Sequence, residues 1–298
     1  MDRLRSLEVF VEIINQGSMS RAAQALGMSP TMVTTHLAQL EKRLGKRLLD
    51  RTTRRIDLTR EGDRFLNDAR HILDAFQAAE DVARDGPVRP RGRVRVDAPA
   101  AVGLRYIVPA VPLFCATYPD VALDISLGDR GVVFRPDGFD VLLRIGEEHP
   151  ANADVRVLGH TRFVHVAAPS YLALHGVPEK PEDLEQHDCI TYSTTERVGG
   201  PRWNFNSGNK IQTVRPKSKL SLNDGSAVST LAVSGLGIAR TLEMLVASEI
   251  KMGTLRPVLE GWTESPVSIC AFAANDRAKT PAVSAVLDFC ESISWPNR

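Results

Sequence analysis

Four cysteines in 298 residues, Cys115, Cys189, Cys270 and Cys290, are too scattered for a disulfide framework, and no two fall at the spacing of a metal-binding pair. Buried, reduced thiols are the default for such a set. The seven histidines show no ligand pattern, so no metal or other cofactor is expected. No apolar run approaches a membrane span and the N-terminus lacks the apolar region of a signal peptide, which leads to the expectation of a cytoplasmic protein with no membrane partner. Internal repeats and low-complexity segments are also missing. So are a G-x-S-x-G elbow and a phosphate loop, and SGLGIA at 234–239 is not a dinucleotide fingerprint, because its glycines do not follow a strand and open a helix. A catalytic assignment has no residues to stand on.

Net charge is nearly absent too, at +1, which on its face argues against nucleic acid. The total hides an asymmetry. Residues 1–60 hold eleven basic and six acidic side chains, a balance of +5, and leave −4 to the remainder. A basic N-terminal module joined to a mildly acidic one suits a protein that holds DNA at one end. The length allows about two domains, and 43% hydrophobic with 24% charged residues is the composition of a soluble globular chain.

The N-terminal module reads as helices. Leu4, Leu7, Phe10, Val11 and Ile14 make one amphipathic face, ended by Asn15, Gln16 and Gly17. Ser18 is positioned to cap a short second helix with a small apolar face of Ala22, Ala23 and Leu26, and Gly27 supplies its permissive end. Ser29-Pro30 opens a third helix. There Val33, Leu37, Leu40 and Leu44 fix a buried face and turn Thr31, Thr34 and Thr35 away from it, with hydroxyls available to phosphates and base edges. The pair is shaped to enter a DNA groove; an ordinary core hairpin is the competing reading. After Gly45, the run to Leu58 carries a basic tip at 51–55, where Arg51, Arg54 and Arg55 with Thr52 and Thr53 provide cations and hydroxyls for phosphates or a minor groove. From Thr59 the seam Phe65, Ala69, Ile72, Phe76, Ala79 and Ala83 predicts a long helix suited to a partner helix, stopped by GPVRPRG. A dimer would present two third helices to major-groove faces about 34 Å apart and so predicts a two-fold-related site.

Beyond Gly92 the period changes. RVRVD at 93–97 alternates as a strand, Leu104, Ile107, Val108, Val111, Phe114 and Cys115 mark a helix, and VALDISL at 121–127 alternates again. With FDVLLRIG at 139–146 this predicts a parallel α/β fold whose ligands sit at the carboxyl ends of strands. A strand at 162–168, a helix to 174, a capped helix, turn and strand across 223–240, a strand at 267–273 and a final helix opened by Thr280-Pro281 follow. Two α/β lobes with a cleft for a small ligand would accommodate the segment.

The motifs SMSRAAQALGMSPTMVTTHLAQLEKRLGKRLLDRTTRRIDLTREG, ATYPDVALDI, GFDVLLRIG and SGLGIAR together resemble the LysR-type transcriptional regulators, and the resemblance covers essentially the whole chain. It implies an all-α winged helix-turn-helix at 1–58 and a dimerising linker helix and hinge at 59–91. A two-lobed α/β effector domain like the periplasmic binding proteins would follow at 92–298, with lobe I at 92–161 and 267–298 and lobe II at 162–266. It also implies that two chain crossings lie near Arg162 and Val267, and that the assembly is a homodimer through the linker helix and a homotetramer. The implied partners are double-stranded DNA, a small-molecule effector of unidentified structure and RNA polymerase. Carried over residue by residue, the family's DNA contacts fall on Ser29, Pro30, Thr31, Thr34, Thr35 and His36 and on the wing residues Arg51, Thr52 and Arg54. For His36, packing or a phosphate contact stands beside base contact. The effector cleft falls on Asp97, Ala98, Pro99 and Ala100, on Arg144, Ile145 and Gly146, and across from them on Thr195 and the helix start at Asn223 and Asp224. Asp97 stands where a serine is common, and two readings of it remain open: it faces the cleft, offset by Arg144, or it caps the next turn. Two alternatives to an effector-responsive regulator also stand, a redox switch through a cysteine, with Cys189 in a loop, and a small-molecule module with a degenerate DNA-binding domain.

Overall fold

The computed structural model describes residues 2–51, 56–83, 89–128, 139–146, 153–192, 201–207, 210–262, 264–275 and 278–297. The chain divides into an N-terminal unit that ends at Gly92 and a C-terminal unit that begins at Arg93.

The N-terminal unit begins with α1 (Arg3–Gln16), which Asp2 caps and which ends at Gly17 in the left-handed region. α2 (Met19–Ala25) has Ser18 as its N-cap and α3 (Pro30–Leu44) has Ser29, whose Oγ accepts the Met32 N–H at 3.3 Å. Caps of this kind each contribute about 1 kcal/mol. Between α2 and α3 the chain turns at Gly27 with φ +63°, a conformation that a side chain would strain. Val9, Phe10, Ile13, Ala22, Ala23, Val33, Leu37 and Leu40 close a core beneath the three helices. Leu44 does not join that face; it is exposed where α3 runs past the core, which corrects the expectation that it is buried. The short strands β1 (Leu49–Arg51) and β2 (Ile56–Leu58) pair antiparallel, with Leu49 opposite Leu58 and Arg51 opposite Ile56. The side chain of Glu41 on α3 accepts the Leu48 and Leu49 N–H groups at 2.8 and 3.3 Å, tying that hairpin to the helix. α4 (Arg60–Ala83) starts under the Thr59 hydroxyl, which accepts the Gly62 N–H at 2.9 Å. Gly62 itself allows the Leu48 carbonyl to approach, since a Cβ there would lie 1.9 Å from that oxygen.

The C-terminal unit has, among the described residues, two five-stranded sheets and a separate hairpin. The first sheet uses β3 (Gly92–Ala98), β4 (Val121–Leu127), β5 (Val141–Ile145), β6 (Ala153–Thr161) and β14 (Val267–Ala274), in the order β4-β3-β5-β14-β6. The second uses β7 (Phe163–Ala167), β8 (Cys189–Tyr192), β11 (Ser218–Leu222), β12 (Ile238–Leu242) and β13 (Arg256–Val258), in the order β11-β8-β12-β7-β13. β9 (Trp203–Ser207) and β10 (Lys210–Val214) form the hairpin. Short α5 (Ala100–Val102) and α6 (Val111–Thr117), joined by a π turn and a 3-10 turn, and α10 (Pro281–Ser292) belong to the first lobe. α7 (Pro169–His175), α8 (Gly225–Val233) and α9 (Glu243–Met252) belong to the second. The chain crosses between the sheets at Arg162 and again between β13 and β14.

Three expectations change here. The sheets are mixed rather than parallel: β3 and β5 are parallel, but β14 runs antiparallel to β5 and β6, and β7 antiparallel to β12 and β13. The strands that carry or receive the crossings enter from the opposite direction, which a pattern of local βαβ units cannot reveal. The helical path Ala100–Thr117 is, by length and composition alone, apolar enough to cross a membrane, against the expectation that no such run exists. In this lobe its Ala101, Val102, Ile107 and Phe114 pack into the core. Finally, Cys189 begins a central strand instead of sitting in a loop.

Candidate functional site

On α3 the buried face is Val33, His36, Leu37 and Leu40. Thr31, Thr34, Thr35 and Ala38 are exposed and follow one another at three- and four-residue steps, so they form one stripe on the opposite side. Ser29 and Pro30 are exposed at its head, Met32 and Gln39 flank it, and Lys42 and Arg43 continue it. Met32 is 49% exposed, a large apolar side chain left in water. The Thr34 hydroxyl donates to the Pro30 carbonyl at 3.0 Å and the Thr35 hydroxyl to the Thr31 carbonyl at 2.8 Å, so their protons are held by the helix backbone rather than free for a base edge.

Of the readings left open for His36, the structure fits the packing one. It is 5% exposed, and its Nδ1 shares a 3.1 Å hydrogen bond with the Ser6 hydroxyl of α1. A DNA-reading position for His36 is thereby corrected: the ring fixes α3 against α1, as its place beside the buried face dictates. Of Arg51 only the backbone, the last residue of β1, is described, while Thr52 and Arg54 lie outside the described residues. Sequence reasoning missed Met32, Ala38 and Glu41. Ala38 could have been found by extending the Thr31, Thr34, Thr35 spacing one more turn.

On α4, Phe65, Leu66, Ala69 and Leu73 pack against the N-terminal core, and Phe65 lies 5.8 Å from Phe10 between ring centroids. The first part of the seam expected to meet a partner helix is therefore taken by its own unit. Ile72 and Phe76, each 46% exposed, and exposed Ala79 remain; the side chain of Ala83 lies outside the described residues.

In the C-terminal unit, Asp97 near the end of β3 and Arg144 of β5 meet on one face of the first sheet. Arg144 Nη2 donates to Asp97 Oδ2 at 2.7 Å, and Arg144 Nη1 donates to the Leu143 carbonyl at 2.6 Å. Asp97 is 2% exposed and its Oδ1 has no hydrogen-bond partner among the described residues. The carboxylate makes no cap: Pro99 opens α5 without a side-chain hydrogen bond, which overturns the turn-capping reading. Ala98 is fully buried in the lobe core and cannot line a cleft as expected; Pro99 and Ala100 remain half-buried, as do Ile145 and Gly146. Across from them Asp224 caps α8 through Oδ1, accepting the Ala227 N–H at 2.7 Å, and Asn223 is exposed. A Cβ on Gly225 would lie 3.7 Å from Ala101 Cβ, so the start of α8 and the start of α5 meet. The structure thus brings the two predicted rims together, with Thr195 outside the described residues.

Behind the second rim lies a cluster that the sequence did not announce. Arg240 on β12 grips Glu264 through Nε and Nη2 and stacks its guanidinium 3.6 Å above the Phe163 ring. His165, 4% exposed, stacks on Phe205, and its Nε2 lies 3.7 Å from Glu264 without a hydrogen bond. Burial first, and Arg240 second, push its pKa down to about 3, so the imidazole is neutral. Cys189 is fully buried; burial and then Asp188 push its thiol up to about 12. The redox alternative rested on Cys189 standing in a loop, and its burial at the start of β8, with the thiol held protonated, takes that support away. SGLGIA serves packing, with Gly237 placed so that a Cβ would lie 2.3 Å from the Asp188 carbonyl oxygen.

Comparison with known proteins matches residues 4–63 to the family description "Bacterial regulatory helix-turn-helix protein, lysR family" and residues 88–293 to "LysR substrate binding domain". An HTH-type transcriptional regulator of Xanthomonas campestris pv. campestris is 32% identical over 94% of this chain and 82% of its own. The HTH-type transcriptional regulator CrgA of Neisseria meningitidis is 31% identical over 95% of this chain and 94% of its own. A solved structure of CrgA, titled a LysR-type transcriptional regulator, superposes with a TM-score of 0.61 at 30% identity, covering 96% of this chain and 97% of that one.

Proposed function

Since the chain belongs to the LysR family and is a DNA-binding transcriptional regulator with an effector-binding domain, we propose that two copies read a two-fold-related promoter site and that a small molecule between the lobes adjusts how they sit on it. The observation that carries the DNA reading is the exposed stripe of α3, capped at Ser29 and running toward Lys42 and Arg43. Ser29, Pro30, Thr31, Thr34 and Thr35 face the major groove in this reading, and Arg51, Thr52 and Arg54 of the wing hold phosphates. The exposed Ile72, Phe76 and Ala79 on α4 support pairing of two copies, and a tetramer and contact with RNA polymerase extend the same reading. Such a protein works where the chromosome is, in the cytoplasm.

Asp97 and Arg144 support the effector reading. Asp97 fixes Arg144 from beneath, and a ligand with an acceptor fits the part-exposed guanidinium. It acts only by binding one arrangement of the lobes more tightly than the other. The test is capture of sheared chromosomal DNA by the full-length protein, with the bound fragments sequenced. Enrichment of a few promoter regions is the expected result; a bound fraction identical to the input would contradict the reading. Among captured fragments, Arg51→Ala and Arg54→Ala are expected to weaken binding to all and to lower the salt slope by about one each.

A further inference from the structure

Over its first two turns the exposed stripe of α3 lacks the side chains that usually read bases by paired hydrogen bonds. From Pro30 to Ala38 the sequence is PTMVTTHLA, without Arg, Lys, Asn, Gln, Asp or Glu, so neither the bidentate Arg or Lys to guanine nor the bidentate Asn or Gln to adenine is available over the first two turns. The one ring nitrogen donor there, His36, is buried against Ser6. What the stripe does present is methyl groups. The hydroxyls of Thr34 and Thr35 are turned onto the Pro30 and Thr31 carbonyls, and a β-branched side chain held at one rotamer in this way turns its methyl outward. Ala38, one turn on, offers nothing but a methyl, and Met32 puts a soft apolar chain at the flank.

Resting on the reading that α3 enters the major groove, we infer that Thr34 and Thr35 determine specificity by packing their methyls on thymine C5-methyl groups, so that the half-site is chosen by where its thymines stand. The C5-methyl of thymine is the single apolar mark in the major-groove edge code, and cytosine, adenine and guanine carry none. Each buried methyl is expected to change affinity about fourfold. The back-bonded oxygens keep lone pairs and accept from neighbouring amino groups, a secondary contribution.

The experiment uses the full-length protein and random-sequence duplexes containing dT. The enriched duplex is then remade with dU at one thymine position at a time. At one or two positions per half-site dU is expected to weaken binding about fourfold. Thr34→Ser or Thr35→Ser, which keeps the hydroxyl and drops the methyl, is expected to abolish the dT-to-dU difference at its own position, and Thr34→Val or Thr35→Val, which keeps the methyls, to preserve it. Equal binding of dU and dT throughout the half-site would overturn the inference while leaving the DNA reading intact, as would a dU penalty unchanged in the Thr34→Ser/Thr35→Ser double variant. Failure of any duplex to enrich would overturn the DNA reading and the inference with it.

Discussion

Asp97 is buried with one oxygen on Arg144 and the other without a partner among the described residues, and the two side chains cannot be removed independently. Arg144→Ala would leave a buried carboxylate uncompensated, at a cost of about 3 kcal/mol, whereas losing both charges costs far less. A double-mutant cycle with Asp97→Ala, followed by urea unfolding, is expected to show the double variant losing far less stability than the sum of the two single losses. Additive losses would show the pair to be energetically idle. His165 provides a second residue-scale test. Its folded pKa of about 3 lies below the ordinary 6.5, so the unfolded chain takes up a proton first as pH falls. The contribution of the neutral ring is complete above pH 6.5 and is lost below it, by about 1.4 kcal/mol per pH unit down to the folded value. His187, also lowered by burial and by His175, acts in the same direction. His165→Gln is expected to flatten the acid side of a plot of urea midpoint against pH; an unchanged slope would assign the acid sensitivity elsewhere.

At the scale of elements, α3 was almost fully legible in the sequence because its caps, its proline and its buried face are local patterns. What escaped was the direction of its polar atoms: the spacing placed Thr34 and Thr35 outward but could not show their hydroxyls bonded back to the helix. The elements that carry the proposed effector rims were legible as strand ends and a capped helix. Ala98 was misjudged, because a small residue at a strand end reads the same whether it faces a cleft or a core. β6, β11, β13 and the β9/β10 hairpin went unread, since an edge strand or a hairpin laid over a sheet has only partial alternation, although Trp203 and Phe205 carry some of it; β8, an inner strand, is only four residues long. On α4 the apolar spacing was right and its destination was split, with Phe65 and Ala69 turned to their own core and Ile72 and Phe76 left in water. Ile72→Glu/Phe76→Glu is therefore expected to leave the fold intact by circular dichroism and to shift the chain toward monomer in sedimentation. Unchanged association would move the pairing surface away from α4.

For the whole molecule, the proposed reading makes the functional unit larger than one chain. If α3 reads bases through two methyl-bearing threonines, one copy reads too little sequence to find one promoter, and two copies on a two-fold site would double the readout and make spacing part of the code. In that reading a ligand between the lobes would have something to act on, because a change in the distance between paired helices alters affinity for a fixed spacing without altering any base contact. The most direct measurement is selection of random duplexes by the full-length protein, with the winners aligned. An inverted repeat whose half-sites lie one or more helical turns apart, about 10 base pairs per turn, is the expected result, and a lone half-site or a direct repeat without a dyad would contradict it.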